Sequence, residues 1–324
     1  LADEAAELNM PQPIETHRTT PVAFFSYHRA EHAGRALDSL ARCHRLDECR
    51  IYLYCDGAKG DHDRAAVEKS RQVVRAWASK YQAEMIERPD NLGLSQSIVA
   101  GVTDLCRTYG RVIVVEDDLV LSPYFIDFML QALERYQEEL KVYQISGYMF
   151  PVECSTSTDA LFLPLTTTWG WATWARAWQH FDWKAAGARE QLTDPKARDR
   201  FDLGGSYPYS KMLEDRLAGK NDSWGILWWW AVFKSNGVVL YPRESLVVNE
   251  GFDGSGVHCG PRNHIGGRAR VSFPGAPRRP IIFPSRIMAE GAALMKISGL
   301  LSAQHPSGRS FGGWVWDVLA KYFM

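Results

Sequence analysis

The sequence contains no apolar run near the ~20 residues a membrane-spanning helix requires, no secretory-signal pattern at its start, and no internal repeat or low-complexity tract. Charge of one sign is also lacking: 37 Lys and Arg face 38 Asp and Glu, for a formal net charge of -1. No overall field therefore draws the chain to nucleic acid, and any anion it handles must be held locally. Six cysteines occur without a C-x-x-C pair, so they read as reduced and mostly buried thiols of a cytoplasmic protein. The glycine fingerprint G-x-G-x-x-G is missing after the first predicted strand, which disfavours a dehydrogenase or a methyltransferase.

What is present is the composition of a soluble globular chain of 324 residues, 46% hydrophobic and 23% charged, long enough for one large domain or two. Twelve tryptophans are unevenly placed. Trp169, Trp171, Trp174, Trp178 and Trp183 form one cluster, and Trp224, Trp228, Trp229 and Trp230 another. Core packing and flat surfaces for sugar rings are both open readings of such clusters.

Residues 1–20 read as a polar arm. From there strands and helices alternate: strand Val22 to Tyr27, a helix carrying Ala33, Ala36, Leu37 and Leu40, strand Ile51 to Cys55, a helix through Val67, Val74 and Trp77, strand Glu84 to Glu87, a helix containing Ile98 to Cys106, and strand Val112 to Val115. Such a series predicts an α/β fold with a mostly parallel sheet and ligands at the carboxyl ends of its strands. Beyond Leu140 the rhythm becomes α+β, with strands "VYQIS", "LFLPL" and "GVVLY" and a charged helical stretch near Asp194 to Leu217. The expected divisions are an arm at 1–20, a nucleotide-binding half at 21–150, an acceptor-binding and catalytic half at 151–285, and a helical tail at 286–324. Gly312 to Phe323 would dock on the domain or rest peripherally on the inner membrane.

The chemistry concentrates in "RVIVVEDDLVLSPYF". A buried strand ends in three adjacent carboxylates, Glu116, Asp117 and Asp118, and a helix is signalled by Ser122 and Pro123, its apolar spacing running from Phe125 to Leu140. Three like charges in one turn repel unless water or a cation relieves them. Hard oxygen donors at a strand end suit Mn2+ or Mg2+; a solvated acidic turn is the plainer alternative.

Strand, "EDDL" and "SPYF" together resemble the nucleotide-sugar site of GT-A fold glycosyltransferases, in particular the N-acetylglucosaminyltransferase I type and its bacterial relatives. The resemblance spans most of residues 20–260. It implies that Asp118 binds the metal bridging the donor diphosphate, with Glu116 and Asp117 contacting the donor. His28 and Arg29, in "FFSYHR", fall where that family places a basic residue near the diphosphate. Asp56, in "YCDG", takes the place of an aspartate that accepts from uracil; an ordinary Asp-Gly turn is the alternative. Ser95, in "NLGLSQSIVAG", is a donor contact or a helix N-cap. Trp169, Gly170 and Trp171 correspond to a G-W segment lining the sugar pocket. Asp222, in "NDSW", corresponds to the general base, with Asp215 or Glu214 as alternatives. His258 is a candidate for metal or diphosphate, or a loop cap, with Arg262, Arg268 and Arg270 nearby.

The implied function is metal-dependent, inverting transfer from a UDP-sugar to a hydroxyl of a glycan or lipid-linked glycan, in bacterial surface polysaccharide, lipopolysaccharide or glycoprotein synthesis. A retaining transferase, a sugar nucleotidyltransferase and a non-catalytic carbohydrate-binding module are the competing readings.

Overall fold

The structure, a computed structural model, describes residues 19–252 and 280–304. The chain opens with four β–α units: β1 (Thr20–Ser26), α1 (Ala30–Leu40), β2 (Cys49–Cys55), α2 (Asp61–Tyr81), β3 (Glu84–Glu87), α3 (Leu94–Tyr109), β4 (Arg111–Glu116) and α4 (Phe125–Arg135). Parallel strands β2 and β4 flank β1 on both sides, so β1 is buried along its whole length. Its apolar run from Val22 to Phe25 is what a strand covered on both faces requires. Helix α1 buries Ala33, Ala36, Leu37 and Leu40, a stripe at three- and four-residue spacing against the sheet.

The second half adds β6 (Val142–Ser146), β7 (Ala160–Leu163), β8 (Trp171–Trp174) and β9 (Val238–Pro242) to the same sheet. Its eight strands run β3-β2-β1-β4-β8-β6-β9-β7. The first four are parallel. Strand β8 lies antiparallel between β4 and β6, β9 is parallel to β6, and β7 closes the edge antiparallel to β9. The α/β class and mostly parallel character expected from the sequence are observed, and the sheet continues through the division expected at residue 150.

Two features depart from expectation near the acidic turn. A short strand, β5 (Leu119–Leu121), intervenes before α4 and pairs antiparallel with β10 (Val247–Asn249). Helix α4 stops at Arg135 although apolar spacing continues to Leu140, which is 74% exposed. The reason lies in Arg176, whose guanidinium donates to the carbonyls of Tyr136 (2.8 Å), Gln137 (2.6 Å) and Val142 (2.9 Å). It thereby takes acceptors that a helix end must satisfy.

The charged stretch near Asp194 to Leu217 divides into α7 (Pro195–Phe201) and α8 (Tyr209–Leu217), after two single-turn helices, α5 (Ala175–Trp178) and α6 (Ala188–Gln191). Asp194 caps α7 through the backbone N–H groups of Lys196 and Ala197, and Gly204, Gly205 and Pro208 separate the two helices. Helix α9 (Trp224–Lys234) is apolar on every side and correspondingly buried. Trp228 donates through its indole N–H to Oε1 of Gln144 at 2.6 Å, and both residues are fully buried. An apolar side chain buried on this scale contributes on the order of 2–3 kcal/mol by leaving water, whereas the Gln144 amide is tolerated there because it is hydrogen-bonded. A last helix, α10 (Gly291–Gln304), follows a bridge between Phe162 and Ala289. Among the described residues no helix is long and apolar enough to cross a membrane. The five described cysteines are free thiols.

Candidate active site

The carboxyl ends of β1, β2 and β4 line one cavity of about 280 Å³, together with Lys59, with Asn91, Gly93, Leu94 and Ser97 around the entrance to α3, and with a wall of Thr168, Trp169, Asp222, Trp224 and Asn249. This is the edge at which parallel strands present their loops to ligands. It gathers His28, Arg29, Asp56, Glu116, Asp117, Asp118, Trp169 and Asp222, residues up to 194 positions apart in sequence (222 − 28).

The charges explain each other. Arg29 pairs with Asp117 and, at 3.0 Å, with Oδ2 of Asp118, while the backbone N–H of Tyr27 donates to Asp117 at 3.3 Å. Burial opposes the guanidinium's charge, but the two aspartates outweigh it and hold Arg29 charged beyond its ordinary range. Burial likewise pushes the Asp117 carboxyl up to about 6, against the pull of Arg29. Glu116 is raised further, by burial and then by the charges of Asp118 and Asp117. Burial and the charge of Arg29 lower His28 below its ordinary value, which favours the neutral imidazole. Two buried polar atoms on this wall, Nη1 of Arg29 and Nδ1 of His28, have no hydrogen-bond partner, a costly arrangement that a ligand oxygen would relieve.

Asp118 is joined to the far segment by β5 and β10. The N–H of Glu250 donates to the Asp118 carbonyl at 2.8 Å, bringing Asn249 and Gly251 alongside. A Cβ on Gly251 would stand 2.3 Å from Oδ2 of Asp118 and 3.0 Å from Oδ1 of Asn249, so only glycine leaves these oxygens room. Among the described residues no group of three or more His, Cys, Asp and Glu side chains could hold a metal by itself. The oxygens of Asp118 and Asn249 suit a hard divalent cation that completes its shell with phosphate and water, the habit of Mg2+ at nucleotide sites. His258, expected near this ion, lies outside the described residues, as do Arg262, Arg268 and Arg270.

Asp56 makes a different use of its carboxylate than a base contact. It accepts from the N–H groups of Gly57 (3.1 Å), Leu92 (2.9 Å) and Gly93 (2.9 Å) and from the amide of Asn91 (3.0 Å). Those bonds fill the roughly four acceptor positions a carboxylate has. Asp56 therefore anchors the loop that enters α3. Asp63 plays a similar part at the mouth, accepting from the Tyr27 hydroxyl and from the N–H groups of Lys59 (3.1 Å) and Gly60 (3.0 Å).

Asp222 is exposed, two residues before α9. Its neighbours are structural: Asn221 donates to the Met212 carbonyl at 3.1 Å and accepts from the Ser223 N–H at 3.1 Å, and Ser223 caps α9. The Ser95 hydroxyl donates to the Asp222 backbone carbonyl. Ser95 thus lies inside α3 and braces the Asp222 loop; it does not cap the helix, whose N-cap position is Gly93, and it lies outside the lining of the charged cavity. Asp215 and Glu214 are engaged on α8 with Lys211 and Lys220 and with Arg198, away from that cavity.

Two expected pocket residues belong to the core instead. Trp171 is wholly buried, fixed by β8 pairing with Val114 and Ser146 and stacked on Trp224 at 5.4 Å. Gly170 has φ +60° and no room for a Cβ beside Phe125 and Val247, so it turns the chain from Trp169 in the cavity wall into β8. Lys59, Asn91 and Asn249 line the cavity without having been singled out. Lys59 carries the signal that exposed Arg29, a base just past a strand end. Asn249 carried none, because its place depends on pairing with residues 119–121.

No protein-family model matches the chain, and no curated protein matches it in sequence. Solved structures with a similar fold include the mannosyltransferase PcManGT from Pyrobaculum calidifontis in complex with GDP-Man and Mn2+, at 12% identity and a TM-score of 0.35 over 68% of this chain and 77% of that one. They also include TarS of S. aureus, at 12% identity and a TM-score of 0.41 over 71% of this chain. The match covers 36% of the TarS chain.

Proposed function

We propose that the chain is a metal-dependent glycosyltransferase of GT-A type that moves a sugar, with inversion, from a nucleoside-diphosphate donor to a hydroxyl of a glycan or lipid-linked glycan. UDP-sugars are the first donors to test. The observation that carries this reading is a single cavity lined by Arg29, Asp117 and Asp118 and also by Asp222, in which buried polar atoms of Arg29 and His28 lack partners.

In this reading Arg29, His28 and Lys59 hold the diphosphate, with Arg29 offering its unpartnered Nη1 as a charged donor to a phosphate oxygen. A divalent cation on Asp118 and Asn249 would stabilise the charge that develops on the leaving diphosphate. The carboxylate of Asp222 takes the acceptor hydroxyl's proton as its oxygen bonds to the anomeric carbon, while the electron pair of the breaking bond leaves on the diphosphate oxygen. A carboxylate is basic enough because the hydroxyl becomes acidic only as that bond forms. The hydrogen bond from Ser95 and the Asn221 side-chain bonds hold the backbone on which this base rides.

The test is thermal stability of the full chain with UDP, GDP, CMP or TDP, each with Mn2+ or with EDTA. A ligand of the folded state at a hundredfold excess over its Kd stabilises by about 2.7 kcal/mol. A diphosphate that raises the Tm only with Mn2+, and no longer does so in Asp118→Ala, is the expected result. Absence of a shift with every nucleotide would overturn the reading.

A further inference from the structure

A second cavity, of about 640 Å³, adjoins the first along α3 and shares Asp222 with it. Ser95, Val99 and Thr103 present one face of the helix to this groove. Eight residues at 1.5 Å rise separate Ser95 from Thr103, about 12 Å. The two ends can be told apart. At one, the Ser95 hydroxyl donates to the Asp222 carbonyl. At the other, the Trp178 indole N–H donates to the Thr103 hydroxyl at 2.9 Å, Trp178 stacks on Phe181 at 4.8 Å, and Phe181 meets Trp183 edge-on at 5.2 Å. Trp183 is thus joined to the Thr103 end of the groove through Phe181 and Trp178.

Trp183 differs from the tryptophans of the core. It is 41% exposed, it lines the groove together with Arg216, and the Arg216 guanidinium lies over its ring at 5.8 Å. The Nε of Arg216 is buried without a hydrogen-bond partner. An indole face attracts the weakly positive C–H surface of a pyranose, and a neighbouring guanidinium donates to its hydroxyl and ring oxygens. Asp104, on the same wall, is compensated by Arg107 at 3.0 Å, and Val99 and Ala100 supply an apolar floor.

We infer that the acceptor is a glycan chain of more than one pyranose: its reacting sugar lies at Asp222, and a sugar further along the chain rests on Trp183 against Arg216. This rests on the transferase reading for the role of Asp222, but the groove can be tested without turnover. Trp183 is a specificity residue in this view, because it touches a ring that does not react.

The experiment captures the full chain on immobilised hexose and N-acetylhexosamine oligosaccharides and on their monosaccharides, with and without UDP and Mn2+. Trp183→Ala, Arg216→Ala and Trp183→Phe are run in parallel. Oligosaccharides are expected to capture the chain and monosaccharides not. Binding should weaken roughly tenfold in Trp183→Ala, the scale of one aromatic contact, and also in Arg216→Ala, with partial recovery in Trp183→Phe. The Mn2+-dependent nucleotide shift should survive in all three variants. Equal capture by monosaccharides, capture unchanged in Trp183→Ala, or no capture by any oligosaccharide would overturn the inference. Loss of the nucleotide shift in the parent chain would strike the transferase reading instead, and glycan capture dependent on Trp183 would still be legible beside it.

Discussion

The cavity wall that comes from residues 25–118 carries the cluster of charged side chains, beside Phe25, Tyr27 and Tyr54, whereas the wall from residues 168–249 carries Trp169 and Trp224 with Asp222 its one carboxylate. The first wall assembles locally. Parallel strands β1, β2 and β4 end at one edge, and whatever follows them in sequence arrives there. The second depends on the core behind it, since Asp222 is delivered by α9, a helix held by Trp171, Trp178 and Gln144. The second wall thus couples activity to the packing of the core behind it.

Replacing Asp222 by Asn tests that contrast where the effect should be largest. The side chain is exposed, so the Tm should stay where it is, yet turnover should fall by roughly 10²–10⁴-fold, the usual contribution of a positioned general base. Nucleoside diphosphate release, once a donor is identified, is the readout. Turnover within a few-fold of the parent chain would remove Asp222 from the role of base.

Trp228→Ala probes the same wall from behind. Truncating a fully buried tryptophan costs about 3–5 kcal/mol, and here it also strips Oε1 of Gln144 of its donor. Chemical denaturation should show the loss, and Asp222-dependent turnover should fall with it although Trp228 is outside the cavity lining. If stability falls and turnover does not, α9 does not set the position of the base and the contrast between the walls fails.

The same difference explains what could be read from the sequence. Strands such as "VAFFSY" and "IYLYC" announced themselves because parallel strands buried on both faces are nearly unbroken apolar runs, and Arg29, Asp56, Glu116, Asp117 and Asp118 were legible because they stand at the ends of such runs. Strands β5 and β10 span three residues each and exist through pairing with one another across more than a hundred positions, so Asn249 had no local mark. The aromatic segment was ambiguous for a related reason. Tryptophan serves a core and a sugar platform equally well, and only the structure separates Trp171, wholly buried, from Trp183, 41% exposed.

Asp56 is the residue whose position was legible and whose task was not, and it gives the smallest but most discriminating effect. A carboxylate that only received a hydrogen bond from a nucleotide base could be removed without cost to the free protein. Asp56 instead accepts from Gly57, Asn91, Leu92 and Gly93, and it is buried. Removing it leaves backbone N–H groups at the entrance to α3 unsatisfied, at about 1–3 kcal/mol. Asp56→Ala should therefore lower the Tm in the absence of nucleotide. Because Gly93 lines both cavities, nucleotide affinity and glycan capture should weaken together. An unchanged Tm with a selective loss of UDP binding would return Asp56 to base recognition and make the first wall a reader of the nucleotide as well as a holder of its phosphates.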